Sequence, residues 1–102
     1  MAREVVLLDE ASRDLTELAV YIASQSGETV ANRYLDRLYA ACTALARFPE
    51  RGTKRDDIAS GLRTVGFERR ATIVFRIFKT RVEIVTIAYA GRDFESKLRK
   101  PR

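Results

Sequence analysis

Residues 62–89 read L-R-T-V-G-F-E-R-R-A-T-I-V-F-R-I-F-K-T-R-V-E-I-V-T-I-A-Y, and this stretch decides the fold. Three runs within it, 62–67, 72–78 and 82–89, are dense in β-branched and aromatic residues. Such residues fit a pleated, half-buried surface. The links between them, 68–71 and 79–81, are short. Short links favour antiparallel neighbours over crossovers, which take a dozen residues or more. The stretch therefore predicts a three-stranded antiparallel meander.

Upstream the periodicity changes. Residues 49–61, P-E-R-G-T-K-R-D-D-I-A-S-G, are polar with Pro49 and two glycines, and read as a loop. Before them Ala31, Tyr34, Leu35, Leu38, Ala41, Cys42, Leu45 and Phe48 form an apolar stripe at helical spacing. Pro49 closes that helix, because the residue before a proline avoids helical geometry. An earlier helix carries Ala11, Leu15, Leu18, Ala19 and Ile22 inward, with Arg13, Asp14, Glu17 and Ser24 assigned to its polar side. Asp9 is the expected N-cap and Gly27 the expected stop. A joint that short makes the two helices an antiparallel hairpin. The apolar run 5–8 reads as a first strand, whose place in the sheet the pattern leaves open. The expected architecture is α+β in two layers: an N-terminal strand, a helical hairpin, then the meander. The 102 residues are expected to form one domain, with 91–102 as a basic tail anchored by Phe94 and Leu98.

Composition narrows the chemistry. There is no histidine, which removes a histidine general base, a Ser-His-Asp triad and a histidine metal ligand. A single cysteine, Cys42, excludes an intramolecular disulfide and a cysteine-built zinc site, and its place on the stripe makes it a small core residue. Asp56 and Asp57 lack clustered oxygen ligands in sequence and read as a cap or an ion pair with a nearby arginine, not a metal site. No cofactor and no metal are implied. The opening residues carry four charges and no long apolar run, and no stretch is long enough to cross a bilayer. A cytoplasmic protein with no membrane partner is the expectation.

Charge is uneven. Residues 1–50 carry a net −3 and residues 51–102 a net +8, which together give the +5 of the chain. A basic half suggests an anionic partner. Arg63, Arg69, Arg70, Arg76 and Arg92 are the candidates for a basic target-binding surface.

Four segments in order carry a family resemblance: A-S-R-D-L-T-E-L-A-V-Y-I-A-S-Q-S-G (11–27), A-N-R-Y-L-D-R-L-Y-A-A-C-T-A-L-A-R-F-P-E-R-G (31–52), R-D-D-I-A-S-G-L-R-T-V (55–65) and I-V-T-I-A-Y-A-G-R-D-F-E (84–95). Jointly they resemble the RelE/ParE toxin superfamily, and within it the ParE or plasmid-stabilisation type. The resemblance implies a type II toxin–antitoxin system, and a growth-inhibiting toxin neutralised by a cognate antitoxin in a hetero-oligomer. It also implies operator DNA contacted indirectly, through the antitoxin. An antitoxin helix is expected along the hairpin, at Leu18, Tyr21, Ile22, Tyr34 and Tyr39, with an antitoxin strand added to a sheet edge.

The superfamily contains gyrase inhibitors of ParE type and ribosome-dependent mRNA endoribonucleases of RelE type. The nucleases resembled use basic residues with a C-terminal tyrosine or histidine. Here Thr72 stands where one of their arginines falls, Arg92 matches another, and the tail has neither Tyr nor His. Arginine stays protonated and is a poor acid or base. The expectation is a non-enzymatic inhibitor of DNA gyrase with no catalytic residues, and the alternative is a RelE-like nuclease in which Arg69 or Arg70 substitutes.

Overall fold

The computed structural model describes residues 3–90 and 93–98. The elements are β1 (Glu4–Leu7), α1 (Asp9–Ser26), α2 (Glu28–Ala44), β2 (Thr53–Lys54), β3 (Leu62–Phe67), β4 (Ala71–Ile77), β5 (Arg81–Tyr89) and α3 (Glu95–Leu98). The sheet order is β1-β5-β4-β3-β2. β5, β4, β3 and β2 pair antiparallel in succession, and β1 joins β5 in parallel, Glu4 beside Arg81 through Leu7 beside Ile84. The α+β architecture, the helical hairpin and the meander all stand as the pattern predicted. The loop 49–61 contains one element that pattern missed, the two-residue β2.

Leu8, not Asp9, caps α1. Leu8 is extended (φ −71°, ψ 163°) with no side-chain cap bond. Its N–H donates to the Ile84 carbonyl at 3.0 Å, and its own carbonyl accepts from Ser12 N–H at 3.0 Å. The chain thus passes from sheet to helix across one residue, with no position left for a polar cap. Asp9 and Glu10 fall in the first turn instead, where they oppose the positive end of the helix dipole. Gly27 alone joins α1 to α2 at φ +93°, a conformation that side-chain-bearing residues rarely adopt.

The helices pack on one face of the sheet. Leu38, Cys42 and Leu45 meet Ile73, Phe75, Val82, Ile84 and Ile87 in the main core. Full burial of side chains the size of Phe75 and Leu38 contributes about 1.5–3 kcal/mol each. Phe48 is not part of that core. α2 ends at Ala44, so helical spacing no longer turns Phe48 inward, and it is 58% exposed beneath Arg51.

The opposite face is covered as well. Val74, Val85, Leu62 and Ile58 form a second apolar cluster, with Ala59, Phe94 and Leu98 packed against it. Phe94 and Leu98, the expected anchors of the tail, thus pack onto the sheet. Arg55 ties the same layer together: its guanidinium bonds both Asp57 carboxylate oxygens at 3.0 Å and reaches Glu95 at 3.3–3.4 Å. Asp56 accepts from Gly61 N–H at 2.8 Å. These acids thus serve the ion pair and the loop, and among the described residues no acid, Cys or His group could hold a metal. No described helix is long and apolar enough to cross a membrane.

Candidate partner-binding groove

β1 has four residues and β5 has nine. Their pairing stops at Leu7 beside Ile84. From 85 to 89 that edge of β5 has no strand partner among the described residues. A bulge reshapes this half. Val74 faces Thr86 whereas Phe75 faces Ile84, so Val85 is one residue extra. A bulge changes which residues share a face. Ile84 and Ile87 accordingly both join the helix-side core, while Val85 turns to the second cluster.

Asp14 of α1 closes part of the open edge. The Ile87 N–H donates to Asp14 Oδ2 at 2.9 Å, and the Thr86 hydroxyl donates to the same oxygen. Asp14 is 5% exposed, which corrects its assignment to the polar side of the helix. The helix period explains the burial. Ala11, Asp14, Leu18 and Ile22 form one row at spacings of three and four, and all four are buried. A carboxylate in that row survives because sheet donors meet it.

Between α1 and this edge lies a groove of about 210 Å³, with Leu18, Tyr21, Ile87 and Tyr89 among its walls. Tyr21 meets Tyr89 edge-on at 5.8 Å, Tyr89 meets Tyr34 at 5.9 Å, and Tyr34 meets Phe67 at 5.4 Å. Past this aromatic junction a second hollow of about 390 Å³ opens between the hairpin and the β3–β4 turn. Ile22, Tyr34, Tyr89, Arg33, Arg37 and Arg70 line it together with Glu68. Arg37 grips Glu68 through two bonds, Nε to Oε2 at 2.7 Å and Nη2 to Oε1 at 3.0 Å. That hydrogen bonding raises the Arg37 pKa and holds the Glu68 carboxyl below its ordinary value. The Tyr34 hydroxyl is buried and has no hydrogen-bond partner among the described residues. Burial pushes its pKa up to about 12, with Tyr89 and Glu68 adding to the shift.

The predicted residues divide accordingly. Leu18 and Tyr21 line the groove, and Ile22 and Tyr34 line the hollow. Leu18, Ile22 and Tyr34 are also core residues, less than a tenth exposed, so a partner reaches them only along those walls. Tyr39 is exposed on α2 and lines neither. Sequence reasoning passed over Asp14, Arg33, Arg37 and the exposed apolar side chains Val20 and Val30.

The basic candidates do not share a face. Paired residues on adjacent strands point to the same side of a sheet. Arg63 pairs with Phe75 and so lies on the helix side, whereas Arg76 pairs with Leu62 and lies on the other. Arg63 Nε donates to the Arg51 carbonyl at 3.2 Å and Arg76 Nε to the Ser60 carbonyl at 3.3 Å. Arg69 and Arg70 sit at the β3–β4 turn. Arg92 lies outside the described residues.

Residues 5–94 match the family model described as ParE toxin of type II toxin-antitoxin system, parDE. This chain belongs to the ParE toxin family. No curated protein matches it. Solved structures share its fold. A chain of the chromosomal ParDE toxin–antitoxin system from P. aeruginosa superposes with a TM-score of 0.76 at 19% identity, covering 87% of this chain and 97% of that one. A chain of the toxin–antitoxin complex RelBE2 from Mycobacterium tuberculosis gives 0.64 at 19% identity, covering 87% and 99%. A mutant of the E. coli toxin RelE in the free state gives 0.66 at 13% identity, covering 97% and 95%. This ParE-family chain thus has the fold of both ParE and RelE toxins.

Proposed function

We propose that this toxin inhibits DNA gyrase by binding it, without cleaving RNA, and that an antitoxin neutralises it by lying along α1 and the open half of β5. The ParE family match over residues 5–94 carries the first part of the reading. Side-chain chemistry supports it. RNA cleavage needs a group to take a proton and one to give it back. The chain has no histidine. Its four tyrosines are Tyr21, Tyr34 and Tyr39 on the helices and Tyr89, which packs against the helix-side core. On the sheet face bearing Arg76, Thr72 and Val74 of its own strand do not titrate near neutral pH, and the carboxylate of Glu83 opposite it on β5 is engaged by Arg81.

The open edge of β5 supports the second part. Unpaired strand edges accept an added strand, and the tyrosines beside it offer apolar rings with polar ends. Arg63, Arg69, Arg70, Arg76 and Arg92 remain the proposed target contacts, the four described ones lying in three separate places: Arg63 on the helix side, Arg76 on the opposite face, and Arg69 and Arg70 at the β3–β4 turn.

Adding purified toxin to gyrase should reduce supercoiling and accumulate linear DNA. Unchanged supercoiling at large molar excess would sink the gyrase assignment. Ribosome-dependent mRNA cuts that vanish with Arg92→Ala would transfer the toxin to the nuclease class.

A further inference from the structure

The hollow beyond the aromatic junction has features that the fold does not use. Its lining carries three guanidinium groups, Arg33, Arg37 and Arg70, against one carboxylate, Glu68. Arg37 is engaged by Glu68. Arg33 and Arg70 have no ion-pair partner among the described residues. The Tyr34 side chain is in the same lining, and its buried hydroxyl has no hydrogen-bond partner among the described residues. Buried polar groups in folded proteins are nearly always paired, so an orphan donor on a residue of a lining that also carries two guanidiniums without an ion-pair partner points to an absent acceptor.

The turn bearing Glu68 and Arg70 is held at a cost. Glu68 (φ 49°) and Arg69 (φ 61°) both take left-handed backbone, where Gly or Asn is usual. Strain of that kind persists where the surroundings over-determine it. Here it keeps Glu68 against α2 and Arg70 in the hollow's wall.

The hollow also continues the groove. Tyr89 lines both, and along α1 the groove wall at Leu18 and Tyr21 passes one turn on to Ile22 and Ser26 of the hollow. An extended segment lying on the 85–89 edge therefore reaches the hollow as it passes Tyr89. Glu68 already shows how a carboxylate seats there, in the planar fork of a guanidinium.

We propose that this hollow is a receptor for a carboxylate side chain carried by the partner segment on the β5 edge, held by Arg33, Arg70 and the Tyr34 hydroxyl. The inference rests on the reading of that edge as a partner groove. The incoming acid matches the net charge of +2 left by three arginines and Glu68. It gives the tyrosine its acceptor and places one fixed anchor at the end of a strand-like contact. Specificity then comes from a position of the partner segment, and the main chain supplies the rest.

Two measurements test this. In the first, the free protein is titrated with N-acetyl-glutamate amide, with the neutral N-acetyl-glutamine amide and with inorganic phosphate. The Nε–Hε signals of Arg33 and Arg70 and the ring carbon bearing the Tyr34 hydroxyl are followed by NMR. Saturable shifts with the glutamate compound and none with the glutamine compound are expected. Absence of saturation, or phosphate acting at tenfold lower concentration than the glutamate compound, overturns the assignment. In the second, the antitoxin encoded beside this toxin is bound to wild type, Arg33→Ala, Arg70→Ala and Tyr34→Phe. Each variant should weaken binding by about tenfold. Tyr34→Phe is diagnostic because removing an unpaired hydroxyl leaves the free chain's melting temperature unchanged or raised. Equal affinity in all four overturns the receptor and leaves the partner groove standing. An antitoxin that does not bind the wild type overturns the groove reading instead, and the small-anion titration then decides the hollow by itself.

Discussion

Replacing Asp14 by alanine tests the link between helix packing and the open sheet edge. The substitution strips an acceptor from two buried donors, the Ile87 N–H and the Thr86 hydroxyl. An unsatisfied buried donor costs about 1–3 kcal/mol, so the loss is on the order of 3–5 kcal/mol. A domain of this size has about 5–15 kcal/mol in total. At about 4–8 °C per kcal/mol, the melting temperature should fall by roughly 15–30 °C. Asp14→Asn keeps one acceptor oxygen and should lose less, about 1–2 kcal/mol. Thr86→Val removes one donor and leaves the amide bond intact. A double-mutant cycle between Asp14→Ala and Thr86→Val should therefore give a coupling of about 1–2 kcal/mol. The assay is urea denaturation followed by circular dichroism at neutral pH. A solvated surface aspartate would change stability by less than about 0.5 kcal/mol. An Asp14→Ala protein within that margin of wild type would refute the argument, as would zero coupling.

Three further outcomes follow from local geometry. Gly52→Ala should destabilise by about 2–3 kcal/mol, measured by denaturant titration, because Gly52 sits at φ +74° and an added Cβ would overlap the Thr64 carbonyl. The folded-state pKa of Tyr34 is raised from 10.0 to about 12, so its contribution is complete below pH 10 and is lost as pH climbs toward 12. The stability difference between wild type and Tyr34→Phe should shift against the wild type by about 2–3 kcal/mol across that window, and comparing the pair cancels the overlapping titration of Cys42, itself raised to about 11 by burial. Arg55→Ala should release α3 from the second cluster, read as faster amide exchange at Leu98, whose N–H donates to the Phe94 carbonyl.

The meander was legible because β-branched runs separated by short links admit few arrangements. The observed strands 62–67, 71–77 and 81–89 lie within a residue of the runs that predicted them, and only their ends move. The run T-I-V-F in β4 also signalled more than it was read to mean. Ile73, Val74 and Phe75 are all buried because both sheet faces are covered, and a continuous apolar run is the pattern of such a strand. The position of β1 was not legible, since its parallel pairing joins residues 77 apart and no local pattern encodes a neighbour so distant. β2 was invisible for a different reason: two polar residues become a strand because β3 offers an edge. At the candidate site, Asp14 was misread although the buried row of 11, 14, 18 and 22 passes through it. Its polarity points to solvent but its period points inward, and a carboxylate on an apolar row is itself a signal of a buried partner. Arg33 and Arg37 carried no signal, because they point from α2 toward a turn about thirty residues away whose approach only the tertiary fold sets.

The length of β1 connects the fold to the site. Had β1 matched all nine residues of β5, the edge would be sealed and no groove would exist. It stops after four, and the chain turns at Leu8 into α1. Five residues of β5 remain, about 17 Å at the usual rise of a strand. An exposed edge of that length invites pairing with other chains. α1 lies alongside it, and Asp14 takes the Ile87 N–H, so the edge is guarded at its middle. Its outer end, at Tyr89, opens on the aromatic junction and the arginine-lined hollow. A segment that merely forms strand bonds meets a blocked amide at Ile87 and unmatched positive charge past Tyr89. One that brings an acid to the Tyr89 end would answer that charge. On the proposed reading of the groove and the hollow, selectivity for one partner would follow from where β1 ends and from what α1 and the β3–β4 turn place around the edge it leaves.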